Sequence, residues 1–210
     1  MLHYKCNLKH DGDYMPPKMI FNKSDIIDSS LGIVREKGFK QLSAREVARK
    51  LSSSTRPVYE HFHSMAELKK SVLQKTVDLL YDYVTRHYTK NAFLNTGVGY
   101  VLYARDHKEF FKVIFLEDND ASVIIDEMLK KIDKEMLKVP CLKELSHKER
   151  KSLLKRSWIY THGFAVMVFS GYIKNNQDNY IIRMLSEGGA IFIQDALRKH
   201  SESCVAATGK

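Results

Sequence analysis

Ser54, Thr55, Arg56, Tyr59 and His61 fall within one short stretch, a dense set of side chains able to grip a polyanion and read its bases. An arginine guanidinium is a rigid fork of donors that matches the O6/N7 edge of guanine, so Arg56 is the candidate for a bidentate base contact. Thr55 offers a methyl group to thymine or a hydroxyl to phosphate. Upstream, Ser43 and Arg45 open a second candidate helix, whose free N–H groups and dipole favour phosphate. The same residues also suit capping and solubilising roles, whereas Val58 and Phe62 are expected in the core. His61 and His63 are two apart, which sets them on different sides of a helix, unlike the i, i+4 pair of a metal site.

These side chains need short helices to present them. The segment Ser24–Leu73 divides into three short helices and the start of a fourth. Ile26, Ile27, Leu31, Ile33 and Val34 form an apolar stripe at helical spacing, and Gly38 follows as a stop. Ser43 with Glu46 is the pattern of a capping box, as is Ser64 with Glu67. Ser52–Ser53–Ser54 interrupts the pattern, and Pro57 suits the first turn of the third helix. Two short helices across a tight turn, braced by a first, form the arrangement that lays a recognition helix in the DNA major groove.

Composition agrees. The 210 residues carry a net charge of +9 and a pI of about 9.3, which favours a polyanionic partner. Residues 1–90 hold 16 Lys/Arg against 10 Asp/Glu, and the rest 18 against 15, so the candidate DNA-binding half is the more basic. Only 10 Gly and 4 Pro leave room for long helices. The three cysteines, Cys6, Cys141 and Cys204, are far apart and lack metal-binding spacing, which suits a reducing cytoplasm. The first residues are polar, without the apolar core of a signal peptide, and no window is apolar enough to span a membrane. No nucleophile–base motif or phosphate loop is found, so no enzyme activity, cofactor or metal is assigned.

The stretch resembles the DNA-binding domain of the TetR/AcrR family of bacterial regulators. The resemblance rests on Gly38–Phe39, Ser43, Arg45, Val47–Ala48, Leu51, Val58–Tyr59–Glu60–His61–Phe62, Ser64, Glu67 and Leu68. It departs at Ser52, where the family usually has glycine, and at Met65, where it usually has lysine. The resemblance implies that Tyr59 bonds backbone phosphate, and Lys69 or Lys70 can replace the missing lysine. Trp158 with His162–Gly163 is similar to a Trp…His-Gly signature in the C-terminal domain of one family branch. Together the resemblances imply an all-helical chain of about nine helices. A helix-turn-helix domain would span 23–70 and a larger effector-binding, dimerising domain 71–200, between a flexible arm at 1–22 and a disordered tail at 201–210.

The rest of the chain is read on that basis. The arm is basic, with Lys5, Lys9, His10 and Lys18, and suits a contact to DNA phosphate or the minor groove. Residues 93–115 and 123–137 keep a helical period, with Asp118–Asn119–Asp120 between them. A long helix is expected from about Lys148 to Ile173 and a last one from about Tyr180 to Arg198. Tyr103, Phe110, Phe111, Trp158, His162 and Met167 are candidates to wall an effector pocket, although each also suits plain core. Mid-helix glycines cost about 1 kcal/mol against alanine. Gly163, Gly171, Gly189, Ala190 and Ile193 are therefore assigned to close helix approach at a dimer interface, with kinking around a ligand as the alternative. The expected function is a homodimeric repressor released from a palindromic operator by a small apolar or aromatic effector. The competing expectation is a helical ligand-binding or interaction module that has lost DNA binding.

Overall fold

The computed structural model describes residues 21–117 and 121–208. The arm and Asp118–Asn119–Asp120 lie outside the described residues, apart from Phe21 and Asn22. The described chain is all-α, with ten α-helices: α1 Lys23–Lys37, α2 Ala44–Lys50, α3 Arg56–His61, α4 Met65–Val84, α5 Ala92–Asp106, α6 Lys108–Phe115, α7 Ala121–Met136, α8 Pro140–Lys143, α9 His147–Phe169 and α10 Asp178–Thr208.

Local chemistry sets the first helices. Asn22 caps α1 in a complete capping box with Asp25. Ser43 and Ser64 cap α2 and α4 by accepting from the backbone N–H of Glu46 and Glu67. The predicted boxes are half made there. The Glu46 carboxylate is taken by Lys37 at 2.6 Å and Arg49 at 2.7 Å, and Glu67 accepts from the His63 N–H. Those two cations hold the Glu46 carboxyl below its usual range, and the α1–α2 brace is an ion pair as well as an apolar contact. α2 ends in a Schellman motif: Ser53 N–H reaches Ala48 O at 2.9 Å and Ser52 N–H reaches Arg49 O at 3.2 Å. Ser52 takes the left-handed conformation, φ 50°. The turn therefore keeps its geometry without glycine, at the steric cost of a Cβ there. Ser52→Gly is expected to stabilise the chain by about 0.5–1 kcal/mol and raise Tm by about 1–4 °C in circular dichroism melts. An unchanged or lower Tm would mean that the serine is not strained.

α4 is about 30 Å long and joins the two halves. Leu68, Val72 and Leu73 pack with Ile26, Val34, Val47, Val58 and Phe62 from α1–α3, while Val77, Leu80 and Val84 continue into the larger domain. One apolar core thus runs through α4 without a break. A smaller one forms around Phe93, Met136, Leu142, Leu145 and Leu153.

Three boundaries differ from the expectation. The run 93–115 breaks at His107 (φ −128°, ψ 56°) into α5 and α6, although neither Pro nor Gly marks the site. Tertiary contacts hold the break: the His107 ring stacks on Phe110 and its Nε2 lies 3.0 Å from the Tyr83 hydroxyl. α9 stops at Phe169 rather than Ile173, because Gly171 turns into the left-handed region with φ 76°. Gly171 thus has a backbone reason to be glycine, not the helix-packing reason expected. Finally, α10 runs on to Thr208 where a disordered tail was expected. Arg198–Glu202 and Arg198–Asp195 pairs one turn apart support its last turns, as does the His200 contact to Glu149 at 3.1 Å.

Candidate nucleic-acid interface and ligand cavity

α2 and α3 pack on α1 and leave one polar face outward. Arg45, Ser54, Arg56 and Tyr59 are exposed there, Tyr59 by 55% of its surface although it is a large aromatic. Thr55 is the residue before α3, and the Ser54 hydroxyl accepts from the Arg56 N–H at 3.3 Å. The Arg56 side chain lies along α3, its Nε 2.7 Å from Glu60. Among the described residues Arg45 has no ion-pair partner. Ser43 is half-buried and engaged as a cap. Lys69 stands over the Phe39 ring at 5.7 Å, on the first turns of α4. His61 is placed differently from the rest: its ring is half-buried and its Nε2 lies 2.8 Å from the Phe21 carbonyl, which accepts. It ties α3 to the segment before α1 and leaves the outward face to the others.

In the larger domain α5, α7, α9 and α10 line a cavity of about 170 Å³ that is partly open to solvent. Its walls include Phe93, Leu94, Gly97 and Tyr100 from α5, Met128, Leu129 and Ile132 from α7, Ser157, Trp158 and Thr161 from α9, and Leu185, Gly189, Ala190 and Ile193 from α10. Val84 adds the end of α4. Of the residues expected at a pocket, Trp158 lines it. Tyr103, Phe110 and Phe111 are instead sealed in the core, and the Tyr103 hydroxyl donates to the Thr76 carbonyl on α4 at 2.9 Å. Met167 sits on the outer face of α9, partly exposed. His162 stands behind the wall, where its Nδ1 is 2.8 Å from the Tyr100 hydroxyl and its ring stacks on Phe111.

Burial lowers the His162 pKa, so the ring is neutral at pH 7, and burial pushes the Tyr100 phenol far above its ordinary range. The consistent assignment is a Tyr100 O–H donating to an unprotonated Nδ1. The pair fixes the tyrosine ring against Phe111 and Phe115.

Gly189, Ala190 and Ile193, expected at a subunit contact, reach the cavity wall. The neighbouring Gly188 has an intramolecular reason, since a Cβ there would strike the Tyr160 ring. Gly163 and Gly189 face open space. Beside Gly163 on α9 the large apolar Ile159 is 63% exposed, and on α10 Ile191 is 66% exposed. Sequence inspection missed Tyr100, Ser157 and Thr161. Tyr100 is one turn from Tyr103 on the same helix but faces α9 rather than α4, a difference that only the packing partner reveals.

The architecture is that of a small helix-turn-helix unit on a larger helical domain with a partly open cavity between its helices. Solved structures share this fold. A TetR-like transcriptional regulator from Rhodococcus sp. RHA1 matches 79% of this chain and 92% of its own at 11% identity, TM-score 0.54. A TetR variant from Acinetobacter baumannii AYE in complex with minocycline matches 86% and 95% at 12% identity, TM-score 0.56. BioQ with its double-stranded DNA operator matches 81% and 99% at 20% identity, TM-score 0.51. No protein family and no curated protein matches the sequence itself.

Proposed function

We propose that this protein is a TetR-like DNA-binding transcriptional regulator, a homodimer that leaves a palindromic operator when a small apolar effector enters the α5–α7–α9–α10 cavity. The observation that carries the proposal is the outward face of α2–α3, where Arg45, Arg56 and Tyr59 stand exposed on a helix pair buried only on its other side. Arg56 reads a base edge, Tyr59, Ser43, Arg45 and Lys69 hold phosphate, and Ser54 and Thr55 approach the groove at the start of α3. The fold neighbours solved with minocycline and with an operator support both kinds of partner. The left-handed Ser52 supports a turn that still works without glycine.

Control follows from linkage. An effector acts only if it binds one arrangement of the two reading heads better than the other. Val84 lies in the cavity wall and Leu68 in the helix-turn-helix core, both on α4. A second route passes through α6, where Arg35 of α1 stands over the Phe110 ring at 5.4 Å. Repression, rather than activation, is the mode that suits release by an effector.

The test is in vitro operator selection with the full chain, followed by binding titrations over a range of salt. A palindromic site should emerge, with an affinity that falls steeply as salt rises. Arg56→Ala should cost about 1–3 kcal/mol and relax one position. Glu60→Gln, which frees Arg56 and removes a negative charge, should tighten binding about two-fold at low salt. Recovery of no sequence at low salt would end the proposal.

A further inference from the structure

The cavity wall carries its own chemical selectivity. Among the described residues that line it there is no Asp, Glu, Lys, Arg or His. An ionised ligand would lose part of its hydration there without gaining a counter-charge, so the site selects against ions. Two wall residues nevertheless hold polar atoms that are buried and have no hydrogen-bond partner among the described residues: Trp158 Nε1 and Ser157 Oγ. The Trp158 N–H lies near enough to the Tyr100 oxygen to favour its ionised form, without a full hydrogen bond between them. Tyr100 itself is engaged with His162. An indole nitrogen only donates, and buried donors are seldom left unpaired in native proteins. The volume, about 170 Å³, is close to that of an apolar cavity known to take a benzene ring.

We propose that the cavity takes an uncharged molecule of about one ring, or a short chain of similar bulk, bearing one hydrogen-bond acceptor such as a ketone or ester oxygen, which Trp158 and Ser157 receive. This rests on the cavity being the effector site, and it narrows the effector to a neutral carbonyl-bearing class. Carboxylates and purely hydrocarbon ligands of the same size are the two groups the site disfavours, the first by desolvation and the second by leaving the donors unpaired.

The experiment compares three probes of similar size on the full chain by calorimetry at neutral pH: acetophenone, benzoate and propylbenzene. Acetophenone should bind about three- to ten-fold tighter than propylbenzene, the worth of one net hydrogen bond. Benzoate should bind weakest. Trp158→Phe should abolish the preference for acetophenone while keeping propylbenzene binding, and Ser157→Ala should reduce it without threatening the fold. Melting curves of both variants establish that they are folded.

Benzoate binding as tightly as acetophenone overturns the proposal, as does an acetophenone preference that survives both substitutions. Absence of binding by any probe to the folded chain overturns it too. Operator titrations with the same probes separate it from the regulatory reading. If acetophenone binds with the stated preference and operator affinity does not move, the ligand class stands and effector control fails. If benzoate rather than acetophenone releases the operator, effector control stands and the ligand class fails.

Discussion

Gly99→Ala is expected to lower Tm by about 4–8 °C, because among the described glycines only Gly99 has backbone where a Cβ would sit. Gly99 lies mid-way along α5 where that helix crosses the end of α4. A Cβ there would fall on the carbonyl of Tyr83, with the Val84 Cα close behind. Both obstacles are backbone, so no side chain can swing aside and the two helices must separate. Overpacking of this kind costs about 1–3 kcal/mol, and occasionally more, when side chains can adjust. A rigid contact belongs at the top of that range, and the gain of about 1 kcal/mol from replacing a helical glycine offsets only part of it. Gly97→Ala is the control, two residues away on the same helix. Its added methyl meets Thr161 and Leu185 at 3.6–3.7 Å, ordinary contact distances. It should leave Tm unchanged or raise it slightly while narrowing the cavity that Gly97 lines. Equal melting temperatures for the two variants would show that the α4–α5 crossing can relax. Because α4 links the cavity to the helix-turn-helix unit, Gly99→Ala should also shift operator affinity, measured well below its Tm.

The helix-turn-helix unit was legible in the sequence because its signals are local. Ser43 and Ser64 cap helices wherever the chain sits, and Gly38 and the Ser52 turn stop them within a few residues. The His107 break was not legible, because 93–115 keeps its helical period on both sides and the break is held by Tyr83 from another helix. The end of α9 was misplaced for the opposite reason. Apolar residues continue through Tyr172 and Ile173, and only the left-handed Gly171 ends the helix.

The cavity was harder still. Aromatic type alone nominated Tyr103, Phe110 and Phe111, yet large aromatics are the residues a core buries first, and all three are sealed. What distinguishes a wall residue is a missing neighbour, a property of four helices together that no stretch of sequence encodes. Trp158 was nominated on the same ground of aromatic type and does line the cavity, but its unpaired nitrogen was visible only in the packed structure. His61 shows the same limit on a small scale: its position on α3 nominated it for DNA, and a carbonyl from outside the helix claims its ring.

Replacing Ile159 and Ile191 together by glutamate should turn the proposed dimer into a monomer and weaken operator binding by about 100-fold or more. Each side chain is more than 60% exposed, on the two longest helices of the chain. Ile159, Gly163 and Met167 follow one another at i, i+4 spacing along α9, so the exposed apolar surface is a stripe rather than scattered positions. A second copy of the chain is the occupant proposed for it, and Gly163, with nothing within 4 Å of an added Cβ, would let the partner helix approach closely. Four carboxylates facing one another across a two-fold axis could not be desolvated, which is why the double substitution should dissociate the subunits without touching either core. The loss in DNA affinity follows from effective concentration. In a dimer the second reading head binds as an intramolecular event, and linked sites gain about 10²–10⁴-fold over one alone. Sedimentation should show a single-chain mass, and titration of the palindromic site should show only half-site affinity. Melting temperature and acetophenone binding serve as controls for an intact effector domain. A variant that still sediments as a dimer would place the interface elsewhere. One that is monomeric yet keeps full operator affinity would show that the two reading heads do not act together.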